Sequence, residues 1–249
     1  MKSPFFLFCL IFLTGCAVLS PAVQNFNIVS VEDEKEIGGQ VRQEITKEMV
    51  IVTDPAMNQR VKSIGNKIVK ALPRRDFDYQ FYVVKDDSPN AFTIPGGAIY
   101  VHTGLLRFAS DDNELAGVLA HEVGHAYARH PAKALSRAYG AEYLTQLVFK
   151  NQPGGFKGIA LQLAKGGLLL KYGRQDEFEA DELGYDFLKR AGIPTYGLLS
   201  FFGKLQNLQQ GGVSIPFLST HPPTPERIAR LEALEKGQIV STVPAARLF

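Results

Sequence analysis

The sequence predicts an α+β fold, mainly helical, with one small mixed sheet. Three observations carry this. Most of the chain places apolar residues at three- and four-residue steps, bounded by cap residues before and by Gly or Pro after. β-rich patterning is confined to one region, 79–101. A chain of 249 residues, 45% hydrophobic, is long enough to bury a sizeable core in one domain. The formal net charge is only +2, with both signs interspersed. A clustered basic face is missing, so no nucleic-acid partner is expected.

The first residues read as an export signal. Lys2 gives a positive start, and Phe5 to Leu13 is an apolar run too short to span a bilayer. It ends in Leu13-Thr14-Gly15-Cys16, which resembles the bacterial lipobox, whose Cys is acylated and becomes the mature N-terminus. Residues 1–15 are therefore expected to be a lipoprotein signal peptide, and 16–30 a lipidated tether. Cys9 would be removed and Cys16 would carry lipid, so no thiol is left for a disulfide. Two acyl chains give stable anchoring. Ala17 is not the Asp that favours inner-membrane retention in such lipoproteins. The expected location is the outer membrane, facing the periplasm.

A folded domain is expected over 31–236. Its first helix starts near Val31, with Glu32, Asp33 and Glu34 in the first turn and Ile37, Val41 and Ile45 inward. A second runs from Asp54-Pro55 to Leu72, with Pro at N1. Tyr79 to Val84 is a strand. Asn90 to Val101 is two short strands around Pro95-Gly96-Gly97. Ser110 to Pro131 is a buried helix with Asp111 and Glu114 as a capping pair, and Pro131 is expected to stop it. Ala132 to Phe149 is helical. Residues 156–170 are apolar and too short to cross a membrane as one helix, leaving a core helix, a lid or a lipid-touching surface open. Helices follow over 174–190 and 196–208, and after Thr224-Pro225. Residues 237–249 read as a tail.

The chemistry concentrates in the helix after Asp111. His121-Glu122-Val123-Gly124-His125 puts two imidazoles one turn apart on one face. They can share a zinc ion at roughly 2.0–2.1 Å each. Glu122 lies beside them, placed to take a proton from a metal-activated water. A hydrolytic zinc needs a third protein ligand and an open position. Glu177 on the 174–190 helix can be that ligand. Asp181, four residues on and on the same face, can accept the other ring N–H of a zinc His. Glu179 and Glu182 read as solvent-facing. His221, in a loop, either leans over the metal or bonds locally. Arg227 opposes the helix dipole in a first turn, so it has an anion or a carbonyl to meet unless it is a plain surface Arg. A peptidase also needs an exposed strand edge, and Asn90, Ala91 and Phe92 are the expected substrate-binding edge. His102 is not counted as a ligand.

Taken together, His121-Glu-Val-Gly-His125, Glu177-Phe-Glu-Ala-Asp181, Thr220-His221-Pro-Pro with Arg227, and Asn90-Ala-Phe with Pro95-Gly-Gly resemble the BepA, LoiP and HtpX-like zinc metallopeptidases, metallopeptidase family forty-eight. The resemblance covers roughly residues 30–236. It implies a gluzincin-type domain with one Zn²⁺ on His121, His125 and Glu177. It also implies Glu122 as general base, Asp181 as the carboxylate behind the ligands, and His221 and Arg227 as catalytic groups near the oxyanion. His221 caps the metal at rest in some members. The chain ends at 249, without the tetratricopeptide region of the BepA type or the membrane helices of the HtpX type. It is closer to the short lipoprotein members. The implied function is endopeptidase cleavage of misfolded or unassembled envelope proteins. The alternative is a zinc-containing envelope chaperone or assembly factor that binds clients with little cleavage.

Overall fold

The computed structural model of the chain describes residue 27 and residues 29–138, 172–210 and 216–241. The expected signal peptide with Cys16, the 156–170 segment, and Tyr139 onward in the helix expected over 132–149 lie outside them. Two helices lead: α1 (Val31–Glu48) and α2 (Pro55–Lys70). Ser30 and Asp54 cap them by accepting from the backbone N–H groups of Asp33 and Met57, as their place before the first apolar-periodic residue dictates. Ile37, Val41 and Ile45 of α1 are fully buried. Val29, within the expected tether, is buried as well.

Three strands follow: β1 (Gln80–Val84), β2 (Ala91–Thr93) and β3 (Ala98–His102). They form a mixed sheet in the order β1-β3-β2, with β1 parallel and β2 antiparallel to β3. Pro95-Gly96-Gly97 turns β2 into β3, and both glycines take positive φ, 80° and 86°. β2 lies on the edge. Asn90 O accepts from His102 N and Ile94 N donates to Ala98 O. By alternation, the backbone groups of Ala91 and Thr93 face outward.

The short α3 (Thr103–Phe108) leads to α4 (Asp112–Tyr127), which carries the two-histidine motif. Asp111 accepts from the N–H groups of Asn113 and Glu114. The Glu114 carboxylate accepts from Ser110 N, so the expected pair does cap the helix, one residue further out than a capping box. Every residue from Glu114 to Tyr127 is buried, which makes α4 the central pillar of the domain.

One expectation fails here. Pro131 does not stop the helix. The chain breaks at Arg129, whose φ is +60°, and helix resumes at 130 with Pro131 in its first turn. Pro lacks the N–H that a first turn leaves unpaired anyway, so it starts helices as readily as it ends them. This next helix, α5, is described from 130 to 138. Arg129 is held in its unusual conformation by two bonds, from Nε to Glu34 Oε2 and from Nη2 to Val29 O, both 2.6 Å. These tie the start of α1 to the end of α4.

The remaining helices are α6 (Arg174–Ala191), α7 (Gly197–Gln210), α8 (Pro216–Thr220) and α9 (Pro225–Glu235). Thr224 caps α9, with Pro225 at N1, as its sequence announced. The packing that matters most is α4 on α6. A Cβ on Gly124 would stand 2.7 Å from Ala180 O, and one on Gly184 would stand 3.1 Å from the Ala120 backbone. The two helices are therefore in backbone contact at the height of the motif.

That contact gives a first prediction. Gly124→Val forces α4 and α6 apart and costs about 1–3 kcal/mol of overpacking. The thermal midpoint should fall by several degrees and metal uptake should weaken with it. A variant with the wild-type midpoint would show that the close approach is not required.

Candidate metal centre

Four buried side chains from three elements converge. His121 and His125 come from α4, Glu177 from the first turn of α6, and His221 from the loop between α8 and α9. One ligand atom from each lies within 4.8 Å of all the others. His125 Nε2 is 3.0 Å from His121 Nε2, and His221 Nδ1 is 3.2 Å from it. Glu177 Oε1 is 3.2 Å from His221 Nδ1 and 3.5 Å from His125 Nε2, and its Oε2 is 3.5 Å from His121 Nε2.

These separations test whether a cation fits. Four donors held about 2.0–2.1 Å from one centre at tetrahedral angles stand about 3.3–3.4 Å apart. The observed edges scatter around that figure. The donor chemistry agrees with the spacing: three imidazole nitrogens and one carboxylate, all buried, point at one another, and His₂Glu with one further position is a set that a divalent cation can use. The residues fit a metal.

The surroundings hold this set in its ligating form. Asp181 Oδ1 lies 2.9 Å from His121 Nδ1, the nitrogen turned away from the cluster. Arg227, expected at the surface unless it met an anion, is only 1% exposed. Its Nε and Nη2 bond the two Asp181 oxygens at 2.7 Å each, and its Nη1 lies 2.8 Å from Glu177 Oε2 and donates to Pro222 O. Its face also covers the Phe202 ring at 4.6 Å. Burial alone would raise the Glu177 carboxyl, but His221 and Arg227 outweigh it and hold it well below the usual carboxylate range. Asp181 is likewise lowered by Arg227 against its burial. Burial, reinforced by His121, keeps His125 well below the ordinary imidazole value. For His121, burial is outweighed by Asp181 and Glu177, which push it up to about 9.

Glu122 sits beside the cluster, fully buried. Thr93 Oγ1 on β2 donates to its Oε2 at 2.8 Å and to its backbone carbonyl at 3.0 Å. Glu122 Oε1 has no hydrogen-bond partner among the described residues and lies 3.5 Å from His221 Nε2. One oxygen is thus anchored and the other is not.

Of the expected substrate edge, Ala91 and Phe92 lie on β2 and Asn90 immediately precedes it; all three are largely buried. The expected exposed edge is therefore covered: Ala91 and Thr93, whose backbone groups face away from β3, are each 0% exposed, and Tyr172 already reaches Thr93 O. His102 is away from the cluster, with Ser88 and Asp86. Glu179 and Glu182 are not solvent-facing. Glu182 is 2% exposed and pairs with Arg230, and Glu179 reaches His130 at 3.4 Å. Three neighbours escaped the sequence reading. Thr93 holds Glu122. Tyr172 stacks on the His125 ring, centroids 3.9 Å apart, and its hydroxyl reaches Thr93 O. His130 Nδ1 is 2.9 Å from His125 Nδ1. Only His130 left a trace, as a third histidine five residues after His125.

The raised His121 value has a measurable consequence. Below about pH 9 the metal-free protein carries a proton on His121, and a cation must displace it. Metal affinity should rise about tenfold per pH unit as pH increases toward 9, with about one proton released per metal bound. Calorimetric titrations in buffers of different ionisation enthalpy measure that release. Affinity independent of pH between 6 and 8 would contradict it.

Comparison with known proteins agrees with the geometry. Residues 55–235 match the family model described as Peptidase family M48. The chain is 31% identical over 229 residues to the metalloprotease LoiP of Escherichia coli (strain K12), covering 86% of this chain and 88% of that protein. It is 29% identical over 212 residues to the beta-barrel assembly-enhancing protease of Yersinia pestis, covering 81% of this chain and 43% of the relative. It is 29% identical over 215 residues to the mitochondrial metalloendopeptidase OMA1 of Schizosaccharomyces pombe, covering 84% of this chain and 63% of the relative. The chain thus spans less than half the length of the Yersinia protein and under two thirds of the yeast one. The matched stretch runs from the first turn of α2 to the last residue of α9 and takes in every residue of the cluster, and the chain belongs to peptidase family M48.

Proposed function

We propose that the protein is a zinc-dependent endopeptidase of the bacterial cell envelope, anchored by lipid on Cys16, that cleaves misfolded or unassembled envelope proteins. The observation that carries the reading is the convergence of His121, His125 and Glu177 beside a Glu122 with one anchored and one unpartnered carboxylate oxygen. The names of the relatives support the setting: a metalloprotease and a beta-barrel assembly-enhancing protease. The lipobox-like Leu13-Thr14-Gly15-Cys16 supports the anchor. No helix among the described residues is long and apolar enough to cross a membrane.

Zinc on His121, His125 and Glu177 would polarise the scissile carbonyl and make an attacking water acidic. Glu122 then does the proton work. Its Oε1 takes the water proton and later delivers it to the leaving amine, while Thr93 fixes Oε2 so that the carboxylate cannot rotate away. An extended substrate can pair with the backbone of Ala91 and Thr93 on β2, next to Glu122, only once that side of the strand is uncovered, because both residues are 0% exposed. Asn90 and Phe92 shape that edge from within. Arg227 works as a positioning residue. Its guanidinium is already committed to Asp181, Glu177 and Pro222, so it sets the ligand carboxylate rather than the oxyanion. His221 occupies the fourth corner of the cluster at rest and must swing aside before water enters. Its Nε2 already lies 3.5 Å from Glu122 Oε1, so a small displacement leaves it on the side where it can face the oxyanion.

That fourth corner also favours one second reading, a chaperone-like protein that holds clients while its zinc stays closed. Two variants separate the readings. Glu122→Gln should bind zinc as the wild type does and lose cleavage of casein or another unfolded substrate by about 10²–10⁴-fold. Unchanged cleavage would remove Glu122 as the base. His221→Ala should keep three ligands and raise basal cleavage several-fold. If neither wild type nor His221→Ala cuts, while clients still bind to Glu122→Gln, the holding function is the correct one.

A further inference from the structure

His130 is fully buried, charged groups surround it, and nothing in the proposed hydrolysis uses it. It stands directly behind a metal-facing imidazole. His125 turns Nε2 toward the cluster and Nδ1 toward His130 Nδ1, 2.9 Å away. On its far side, His130 Nε2 is 3.4 Å from Glu179 Oε2 and 3.5 Å from Asp176 Oδ1. Those carboxylates are themselves tied to α5, Asp176 to Arg137 at 2.9 Å and Glu179 to Lys133 at 3.8 Å.

Two ring nitrogens 2.9 Å apart must share one proton between them, and its owner follows from the chemistry. For His125 Nε2 to present a lone pair to a cation, the proton of a neutral His125 must be on Nδ1. His125 therefore donates and His130 Nδ1 accepts. The proton of His130 is then on Nε2, where it points at Glu179 and Asp176. If His130 Nδ1 carried the proton instead, His125 Nδ1 would have to accept. The His125 proton would move to Nε2 and cover the atom that should face the metal.

We infer that His130 is a positioning residue for the metal centre, the middle member of a chain from His125 through His130 to Glu179 and Asp176 that locks His125 in its metal-binding tautomer. The inference rests on the metal centre proposed above. It gives α6 two holds on one imidazole. Glu177 meets His125 at its front, and Asp176 and Glu179, within two residues of Glu177, reach it from behind through His130. Tyr172, stacked on the His125 ring at 21° between planes, fixes the remaining tilt.

Zinc titration of the full chain against a chromophoric chelator tests this, with His125→Ala as the reference for a lost ligand. His130→Leu keeps the bulk and removes the acceptor, and should weaken zinc binding by about 10–100-fold. His130→Asn, whose Oδ1 can stand where Nδ1 stood, should recover most of that loss. A residue needed only for packing would give the reverse order, since Leu fills the space better than Asn. Long-range nitrogen–proton NMR spectra of the zinc-loaded wild type should show His125 protonated at Nδ1 and His130 protonated at Nε2 with a bare Nδ1. A proton on His130 Nδ1, or wild-type zinc affinity in His130→Leu, overturns the inference while leaving the metallopeptidase reading intact. A wild type that binds no zinc overturns both. Should His130→Leu not fold, the spectra and His130→Asn decide.

Discussion

A carboxylate taken out of water costs several kcal/mol unless its surroundings replace the lost solvation. Glu177 and Asp181 bring two of them into the centre of this protein, each about 2% exposed. The architecture around the site can be understood as the answer to that cost. Arg227 supplies the first part, a buried guanidinium that spans both carboxylates from α9. The imidazoles of His121 and His221 supply the second. α6 can carry its acidic turn into the interior only because α9 follows it there, and α9 reaches the site because Thr224-Pro225 starts it immediately after His221. A buried Arg paired with planar bidentate geometry is far better suited to this than a Lys, whose point charge would serve one carboxylate at a time.

The second requirement is distance. A ligand carboxylate on one helix has to meet imidazoles on another within a few tenths of an ångström, and side-chain flexibility alone does not hold such tolerance. Backbone contact does. Gly124 lies inside the motif and Gly184 one turn beyond Asp181; the first lets the opposite backbone approach to a separation no Cβ would permit, and the second to one that a Cβ would crowd. Close packing then fixes the spacing of α4 and α6, and the i, i+4 pairs on each helix fall opposite one another. Residues 121 and 125 face 177 and 181 because both helices turn at the same pitch. The unvarying burial of α4 along its length gives the rest of the rigidity.

Much of this was written openly in the sequence, and the reasons differ from element to element. The helix periods, the Asp54-Pro55 and Thr224-Pro225 starts and the Pro-Gly-Gly turn are local signals, and they survived in the fold unchanged. The convergence of these side chains was legible because zinc chemistry supplied a rule linking two distant segments: two histidines one turn apart call for a third donor, and Glu177, the candidate with Asp181 one turn on, is the carboxylate the fold brings to them. Where no such rule applied, local reading stopped short. The first-turn position of Arg227 pointed to an anion or a carbonyl but could not name it, because Asp181 lies 46 residues away and only tertiary structure joins them. Glu182 looked solvated because nothing nearby in sequence hinted at Arg230. Pro131 was misread since the same residue both ends and begins helices, and the deciding feature was the left-handed Arg129 before it, held by Glu34 and the Val29 carbonyl. Thr93 and Tyr172 carry no local mark at all.

The charge of the site leads one step further. Taken as carboxylates, Glu122, Glu177 and Asp181 bring three negative charges, and Arg227 returns one positive. With the histidines neutral, as ligation requires, two negative charges remain in a volume closed to solvent. A protein interior does not hold that imbalance for long. A proton on His121, whose value Asp181 and Glu177 push up against its burial, halves it, and a divalent cation would cancel it. The same residues thus explain both states. The cluster that draws a proton onto His121 is the one that a divalent cation would bring to zero net charge. Moreover, each acid other than Glu122 is fixed by Arg227 before any metal arrives. Arg227 thus orders the carboxylates that a divalent cation would use, and binding needs little rearrangement beyond losing that proton.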